Sequence, residues 1–223
     1  MTSSESLSLS LVVIGGALIY NMFFSKTAII KRKLRNANGK KISAFENEET
    51  ARVVGEIKYF GKTLNAPLSG RKCVYYHITV EQETSSGRST HWSTLIEEEV
   101  AGDVIIKDGA HYAVIQTSLV KSHLIQDANY SSGIFKDATH LLEKYLAKHG
   151  HESTGIFGFN KRIRYNEGIL EEGELLAVVG KGTWQTKNQF KYKIPAEKFL
   201  LISASNEEPV YFSDDPSTTD EIA

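Results

Sequence analysis

The sequence contains very little cysteine, because Cys73 is the single one in 223 residues. One cysteine excludes a disulfide framework and every metal site built from several thiolates. The lone thiol remains a candidate nucleophile, with His77 four residues further on. However, residues four apart on a strand lie about 13 Å from each other, which excludes a direct Cys–His contact on straight geometry. We therefore expect Cys73 to be a packed thiol in a β-rich core.

Recognisable catalytic motifs are also lacking. The chain contains no GxSxG, HExxH, Walker or GxGxxG sequence. His149-Gly150-His151 has metal-binding residue types without a third ligand, and Glu97, Glu98 and Glu99 are a further candidate for a cation. Solvated histidines and a charged strand end explain these features more simply. We predict no catalytic residue, no resident metal and no cofactor.

The chain has no overall excess of charge, since its formal net charge is -1. Seven basic residues and one acid in residues 1–41 give +6, which leaves -7 for the remainder. An acidic body argues against nucleic acid as a partner. The excess of basic residues is confined to the N-terminal segment.

That segment begins with an uncharged apolar run from Leu7 to Phe24. Its 18 residues meet the lower range for crossing a bilayer, about 17–25 residues. A cleaved signal peptide would have basic residues before the run, but residues 1–6 contain none. We predict a single transmembrane helix over 7–25, and we expect the helix to continue to Asn36.

A basic segment follows the apolar run without one acid among its lysines and arginines. The positive-inside rule places it, and the body after it, on the cytoplasmic side. Anionic headgroups are candidate ligands of the five basic residues nearest the run, Lys26, Lys31, Arg32, Lys33 and Arg35.

The rest of the chain has the pattern of short strands separated by turns. It predicts a mainly β (α+β) domain, an antiparallel barrel or sandwich with one amphipathic helix between Asp137 and Gly150. The predicted strands are Arg52–Tyr59, Lys72–Gln82, Thr90–Glu98, Asp103–Ile106, His111–Gln116, Leu119–Ile125, Ile163–Leu170, Leu175–Val179, Lys191–Ile194, Phe199–Ala204 and Val210–Phe212. The predicted division is a tail over 1–6, the span, a basic linker over 26–50, the domain over 51–214 and an acidic disordered tail over 215–223.

Two local features add to this division. The apolar loop Gly155–Phe159 is either packed or a tip that touches a membrane or a partner. Asn129-Tyr130-Ser131 is an N-glycosylation acceptor that we expect in a loop.

One stretch organises the β-rich region. Pro67 and Gly70 bracket a predicted turn, and a strand rich in aromatic and β-branched residues follows from Cys73 to Val80. Strict alternation would place Val74, Tyr76, Ile78 and Val80 on one face and Cys73, Tyr75, His77 and Thr79 on the other.

This turn and strand resemble the signature of the GIDE domain, also called the BAM ("beside a membrane") domain. The family includes mitochondrial and chloroplast RING-type E3 ubiquitin ligases. The resemblance to these ligases implies the alternative location, an organelle membrane with the body in the intermembrane space. The resemblance spans residues 53–214. It implies a structural role for each of the residues that carry it. They are Pro67, Gly70, Cys73, Tyr75, Tyr76, Trp92, Asp108, Gly109, Glu167, Gly173, Gly180, Ser213 and Asp214.

The resemblance implies a membrane-proximal binding module rather than a ligase. A RING requires eight Cys/His zinc ligands, and one cysteine cannot supply them. From the resemblance we expect a membrane-anchored interaction module that binds a protein partner or a membrane-proximal ligand. The alternatives are an E3 ubiquitin ligase-like protein or its substrate-binding subunit, and a hydrolase with a new site. An acid/base pair converging in a pocket would favour the hydrolase.

Overall fold

The computed structural model describes residues 25–86, 89–132, 139–153, 162–186, 194–206 and 208–220. Within these ranges the fold is mainly β, as predicted, with two α-helices and a 3-10 turn at Ile42–Ala44. The helices are α1 (Lys26–Asn36) and α2 (His140–Lys148). The strands are β1 (Thr50–Ile57), β2 (Leu64–Asn65), β3 (Lys72–Cys73), β4 (Tyr75–Ser86), β5 (Ser89–Ala101), β6 (Val104–Asp108), β7 (His111–Ile115), β8 (Val120–His123), β9 (Ala128–Ser132), β10 (Ile163–Leu170), β11 (Leu175–Thr186), β12 (Lys198–Ser203) and β13 (Val210–Ser213).

A closed five-stranded barrel forms the centre of the fold, in the order β1-β6-β7-β12-β11 and back to β1. Strand β11 closes it because residues 175–181 pair with β1 and residues 181–186 pair with β12. All of these pairings are antiparallel except that of β12 with β7. The expected barrel is therefore present.

A second, four-stranded antiparallel sheet has the order β5-β4-β10-β9. Helix α2 covers one face of it, and Leu142, Tyr145 and Leu146 are buried there with Ile78 and Val80. The helix begins after Thr139, whose side chain accepts a hydrogen bond from the amide of Leu142 at 3.2 Å. Residues 137 and 138, where we predicted its start, lie outside the described residues.

Strict alternation is wrong at the start of the predicted strand Lys72–Gln82. The strand is interrupted at Val74, between β3 and β4. As a result, Cys73 packs with Tyr76 under α2, whereas Val74 and Tyr75 point into the barrel-side core. One irregular residue reverses the two faces of a strand.

The basic segment 26–50 is not a linker. It contains α1, on which Ile30 and Leu34 are 0% exposed and pack against Ala177, Val179 and Tyr211. Their spacing of four places both on one face, which explains the packing. A helix before the domain was expected to continue to Asn36, and α1 does end there. Further along, the amide of Ile42 donates to Asp108 at 2.9 Å, which fixes the segment to the barrel.

The acidic tail is also more ordered than predicted. Residues 215–220 are described, and Thr218 is fully buried. Asp215 lies 2.5 Å from the ammonium of Lys31, and Arg52 donates to the carbonyl of Thr218 at 3.3 Å. The ion pair with α1 and the hydrogen bond from β1 hold this tail against the body.

Other predictions fall at or beyond the edges of the described residues. No helix among the described residues is long and apolar enough to cross a bilayer. The predicted span lies outside them over residues 7–24, as do the loop 155–159 and residues 191–193 of one predicted strand. Asn129 is described and is not in a loop, since it lies exposed on β9, an edge strand.

Candidate functional site

The signature turn is held by a buried carboxylate. Glu167 on β10 is 0% exposed and accepts hydrogen bonds from the backbone amides of Leu68 at 2.9 Å and Ser69 at 3.0 Å. The turn spans residues 67–69, beginning at Pro67, and Gly70 has φ +74, which favours glycine. This hydrogen bonding gives Pro67, Gly70 and Glu167 a structural role.

Most of the other signature residues also support the backbone. Gly109 and Gly173 have φ +57 and +96 in tight turns, and a Cβ at Gly180 would lie 2.6 Å from Cγ2 of Ile202. Trp92 lies under the guanidinium of Arg164, 4.4 Å from the ring centroid. These four residues shape turns and packing.

The two signature residues at the end of β13 fix nearby backbone groups. Ser213 is fully buried and accepts from the amide of Asp215 at 3.1 Å. Asp214 accepts from the amide of Ile125 at 2.8 Å, and burial raises the pKa of its carboxyl to about 7. Both residues therefore position chain segments.

Cys73 is buried, and burial raises the pKa of its thiol to about 11. A thiol that stays protonated at neutral pH is a poor nucleophile. It packs with Tyr76 and Ile78 on the α2 side of the sheet, whereas His77 alternates to the opposite face of β4 and lines a cavity there. The structure therefore brings no Cys–His pair together at this position.

A polar cavity of about 440 Å³ lies where the start of α1 meets β4, β8 and β10. Its polar lining includes Lys26, Thr27, His77, Ser122, His123 and Asn166. Leu124 and Ile125 add an apolar part. We refer to this space as the α1 cavity.

A hydrogen-bonded group joins α1 to the body beside this cavity. Glu99 accepts from the hydroxyl of Tyr75 at 2.5 Å, from Ser122 at 3.1 Å and from the ammonium of Lys26 at 3.0 Å. Burial alone would raise the pKa of Glu99, but the hydrogen bonds from Tyr75 and Lys26 hold it below its ordinary value. Glu99 is therefore ionised at neutral pH. Tyr75 belongs to the signature, and this contact gives it a defined role.

The two histidines of the cavity have different surroundings. Nδ1 of His123 lies 3.4 Å from the hydroxyl of Thr27, and its Nε2 lies 3.7 Å from Asp215. Burial lowers the pKa of His123, so its neutral form is favoured. Nε2 of His77 is shielded from solvent and has no hydrogen-bond partner among the described residues.

His149 and His151 do not form a metal site with each other in the described part of the chain. Nδ1 of His149 lies 2.9 Å from the carbonyl of Tyr145, within α2, and its Nε2 lies 3.7 Å from Glu98. Glu98 also accepts from the hydroxyl of Tyr145 at 2.7 Å and from Tyr76 at 3.4 Å. This group attaches α2 to the second sheet.

The basic residues proposed for lipid headgroups contact the protein itself. Lys31 pairs with Asp215, Lys33 with Glu208, and Arg35 donates to the carbonyl of Ser217 at 3.1 Å. Arg32 and Lys33 line a second cavity of about 400 Å³ beside Tyr211. Any headgroup therefore competes with internal acids at Lys26, Lys31 and Lys33.

Comparison of the chain with protein-family models, with curated proteins and with solved structures finds no match in any of the three. Thr27, Ser122 and His123 of the α1 cavity were not among the predicted site residues. No local signal marks them, because they come together only through the packing of α1, β8 and β10.

Proposed function

We propose that the protein is a membrane-anchored, non-catalytic interaction module of the GIDE-like kind, with its body facing the cytoplasm. The observation that carries this proposal is the packing of α1. The helix directly follows the predicted span, and its Ile30 and Leu34 are fully buried against the barrel and β13. A helix that merely tethered the body would not bury both residues.

The ion pairs of α1 support a rigid attachment. Lys26 pairs with an acid on β5, which is Glu99. Lys31 pairs with Asp215 just after β13, and Lys33 pairs with Glu208 just before β13. Single ion pairs at a surface contribute little, typically about 0–1 kcal/mol each. Three of them spread along one helix nevertheless restrict how the body can rotate about α1. The body would then keep one orientation towards the bilayer.

The α1 cavity is the binding region that this arrangement favours. Lys26 and Thr27 lie in the first turn of α1, and one helical turn rises about 5.4 Å. The cavity therefore lies close to the point where the chain would leave the membrane. Its polar lining suits a partner segment or ligand at the membrane surface.

In-membrane photocrosslinking tests the proposed binding. A photoreactive amino acid in place of Gln126, an exposed residue that lines the α1 cavity, should give a discrete adduct that mass spectrometry identifies. The matched control replaces Lys144, which is exposed on α2. Identical adducts at both positions, or none at Gln126, would contradict binding at the cavity.

The membrane anchor is tested separately by carbonate extraction. We expect the full chain to stay in the membrane pellet and a chain lacking residues 1–24 to be released. Ser25 must be kept, because its hydroxyl accepts from the amide of Ala28 at 3.2 Å and caps α1. A charged residue in place of Gly15 should also impair insertion, by about 2.5–3.5 kcal/mol. Release of the full-length chain by carbonate would exclude the spanning helix.

A further inference from the structure

Three metal-ligating side chains converge at the edge of the α1 cavity. Glu97 and Glu99 are two residues apart on β5 and therefore point to the same face of the sheet. His77 lies directly opposite Glu99 on β4. Because the register fixes all three on one face, the triad is a consequence of the β4–β5 pairing.

The distances within this triad suit a metal ion. Nε2 of His77 lies 3.4 Å from Oε1 of Glu97 and 3.8 Å from Oε1 of Glu99. One ligand atom from each side chain lies within 4.8 Å of the other two. A tetrahedral ion with bonds of about 2.0–2.2 Å holds its ligand atoms about 3.3–3.6 Å apart. Only small side-chain movements would close the triad around such an ion.

The nitrogen Nε2 of His77 contacts the carboxylate of Glu97 without hydrogen-bond geometry, which suits a metal ligand. This nitrogen is shielded from water and has no hydrogen-bond partner in the part of the chain that the structure describes, although the side chain is 25% exposed. Buried polar atoms are almost always paired, so an unpaired one calls for an explanation. A metal bond to this nitrogen would supply the missing partner.

A cation already lies beside the two carboxylates. The ammonium of Lys26 is 3.0 Å from Oε1 of Glu99 and 3.7 Å from Oε1 of Glu97. It offsets the charge of the carboxylates, whereas Nε2 of His77 makes a contact of 3.4 Å with Glu97 and no hydrogen bond. The arrangement therefore attracts cations, and an ion that prefers imidazole has an advantage over the lysine at this third ligand.

We propose that His77, Glu97 and Glu99 bind a divalent transition-metal ion of the zinc class, and that Lys26 competes with it for the carboxylates. The fourth coordination position is open to water or to a ligand in the α1 cavity, since His77 lines that cavity. Because Lys26 is the first residue of α1, metal binding releases the contact that holds the start of this helix to β5.

Calorimetric titration of the full-length chain in detergent micelles with Zn²⁺ tests the site, and Co²⁺ absorbance reports the coordination. We expect one Zn²⁺ per chain. His77→Asn and Glu97→Gln should each weaken binding by at least about 10–100-fold, since the loss of an outer-shell partner of a ligand already costs that much. Lys26→Met should strengthen it by roughly tenfold, because it removes a positive charge next to the ion.

The matched control is His149→Asn, which removes a histidine beside Glu98 on the other face of the same strand. It should leave Zn²⁺ affinity unchanged. Glu97 is 54% exposed, so Glu97→Gln should fold and tests the site even if His77→Asn is unstable. The proposal is overturned if the wild type and Lys26→Met both fail to bind, or if Glu97→Gln binds Zn²⁺ as tightly as the wild type.

Discussion

We expect Glu167→Ala to lower the free energy of unfolding by about 3–5 kcal/mol, since each buried donor left without an acceptor costs roughly 1–3 kcal/mol and a cavity adds to the loss. The two donors are the amides of Leu68 and Ser69 in the signature turn. A loss of this size is a large share of the typical stability of a domain, about 5–15 kcal/mol. Denaturant titration of the full chain in detergent, followed by tryptophan fluorescence, measures it.

Two matched variants separate the hydrogen bonds from simple loss of volume. Glu167→Gln keeps one acceptor oxygen at nearly the same size, so its cost should lie clearly below that of Glu167→Ala. Cys73→Ala removes a small buried group nearby and should cost about 1 kcal/mol without disturbing the turn. In Glu167→Ala the amides of Leu68 and Ser69 should exchange hydrogen much faster. A cost below 1 kcal/mol, with unchanged exchange, would show that another group holds the turn.

The same residue illustrates what a sequence can and cannot predict. The turn at Pro67 and Gly70, the strand Ile163–Leu170 and the turn at Gly109 follow from local residue preferences, and the structure has all three. The hydrogen bond between Glu167 and the turn joins residues 98 positions apart. It depends on the tertiary structure, and no local sequence pattern predicts it.

Long-range contacts also explain the errors. The segment 26–50 resembles a linker because its charges dominate its composition, yet the barrel provides an apolar surface for Ile30 and Leu34. The tail 215–220 resembles a disordered segment until Lys31 on α1 pairs with Asp215. The barrel and β13 order α1, and α1 in turn pairs with the tail, so neither segment could be predicted from its own residues. The α1 cavity is formed by the same packing, so the sequence could not predict it either.

The orientation of the chain in a membrane is the last prediction. Seven basic residues follow the predicted span, the nearest five being Lys26, Lys31, Arg32, Lys33 and Arg35, and basic residues within about 15–20 positions of a span set its direction. With the body in the cytoplasm, the acceptor Asn129-Tyr130-Ser131 should stay unglycosylated in a eukaryotic secretory system. Changing these five basic residues to Gln should produce a glycosylated fraction, because only Lys40 and Lys41 remain and the bias that retains the body is weakened.

The ion pairs of α1 complicate this experiment and also supply its control. Three of the five substitutions break contacts with Glu99, Asp215 and Glu208 and so disturb folding as well as charge. A second variant with Glu99→Gln, Asp215→Asn and Glu208→Gln breaks the same contacts but leaves the basic flank intact. Acids contribute little to orientation, so this variant should remain unglycosylated.

The pair of variants therefore distinguishes topology from stability. Glycosylation of the basic-residue variant alone would identify the charges as the determinant of orientation. Glycosylation of both would instead indicate that folding of α1 onto the body retains it. If the wild-type chain is itself glycosylated at Asn129, or if its body is protected from protease added on the cytoplasmic side, the body faces away from the cytoplasm. The intermembrane-space arrangement implied by the organelle ligases would then replace our prediction.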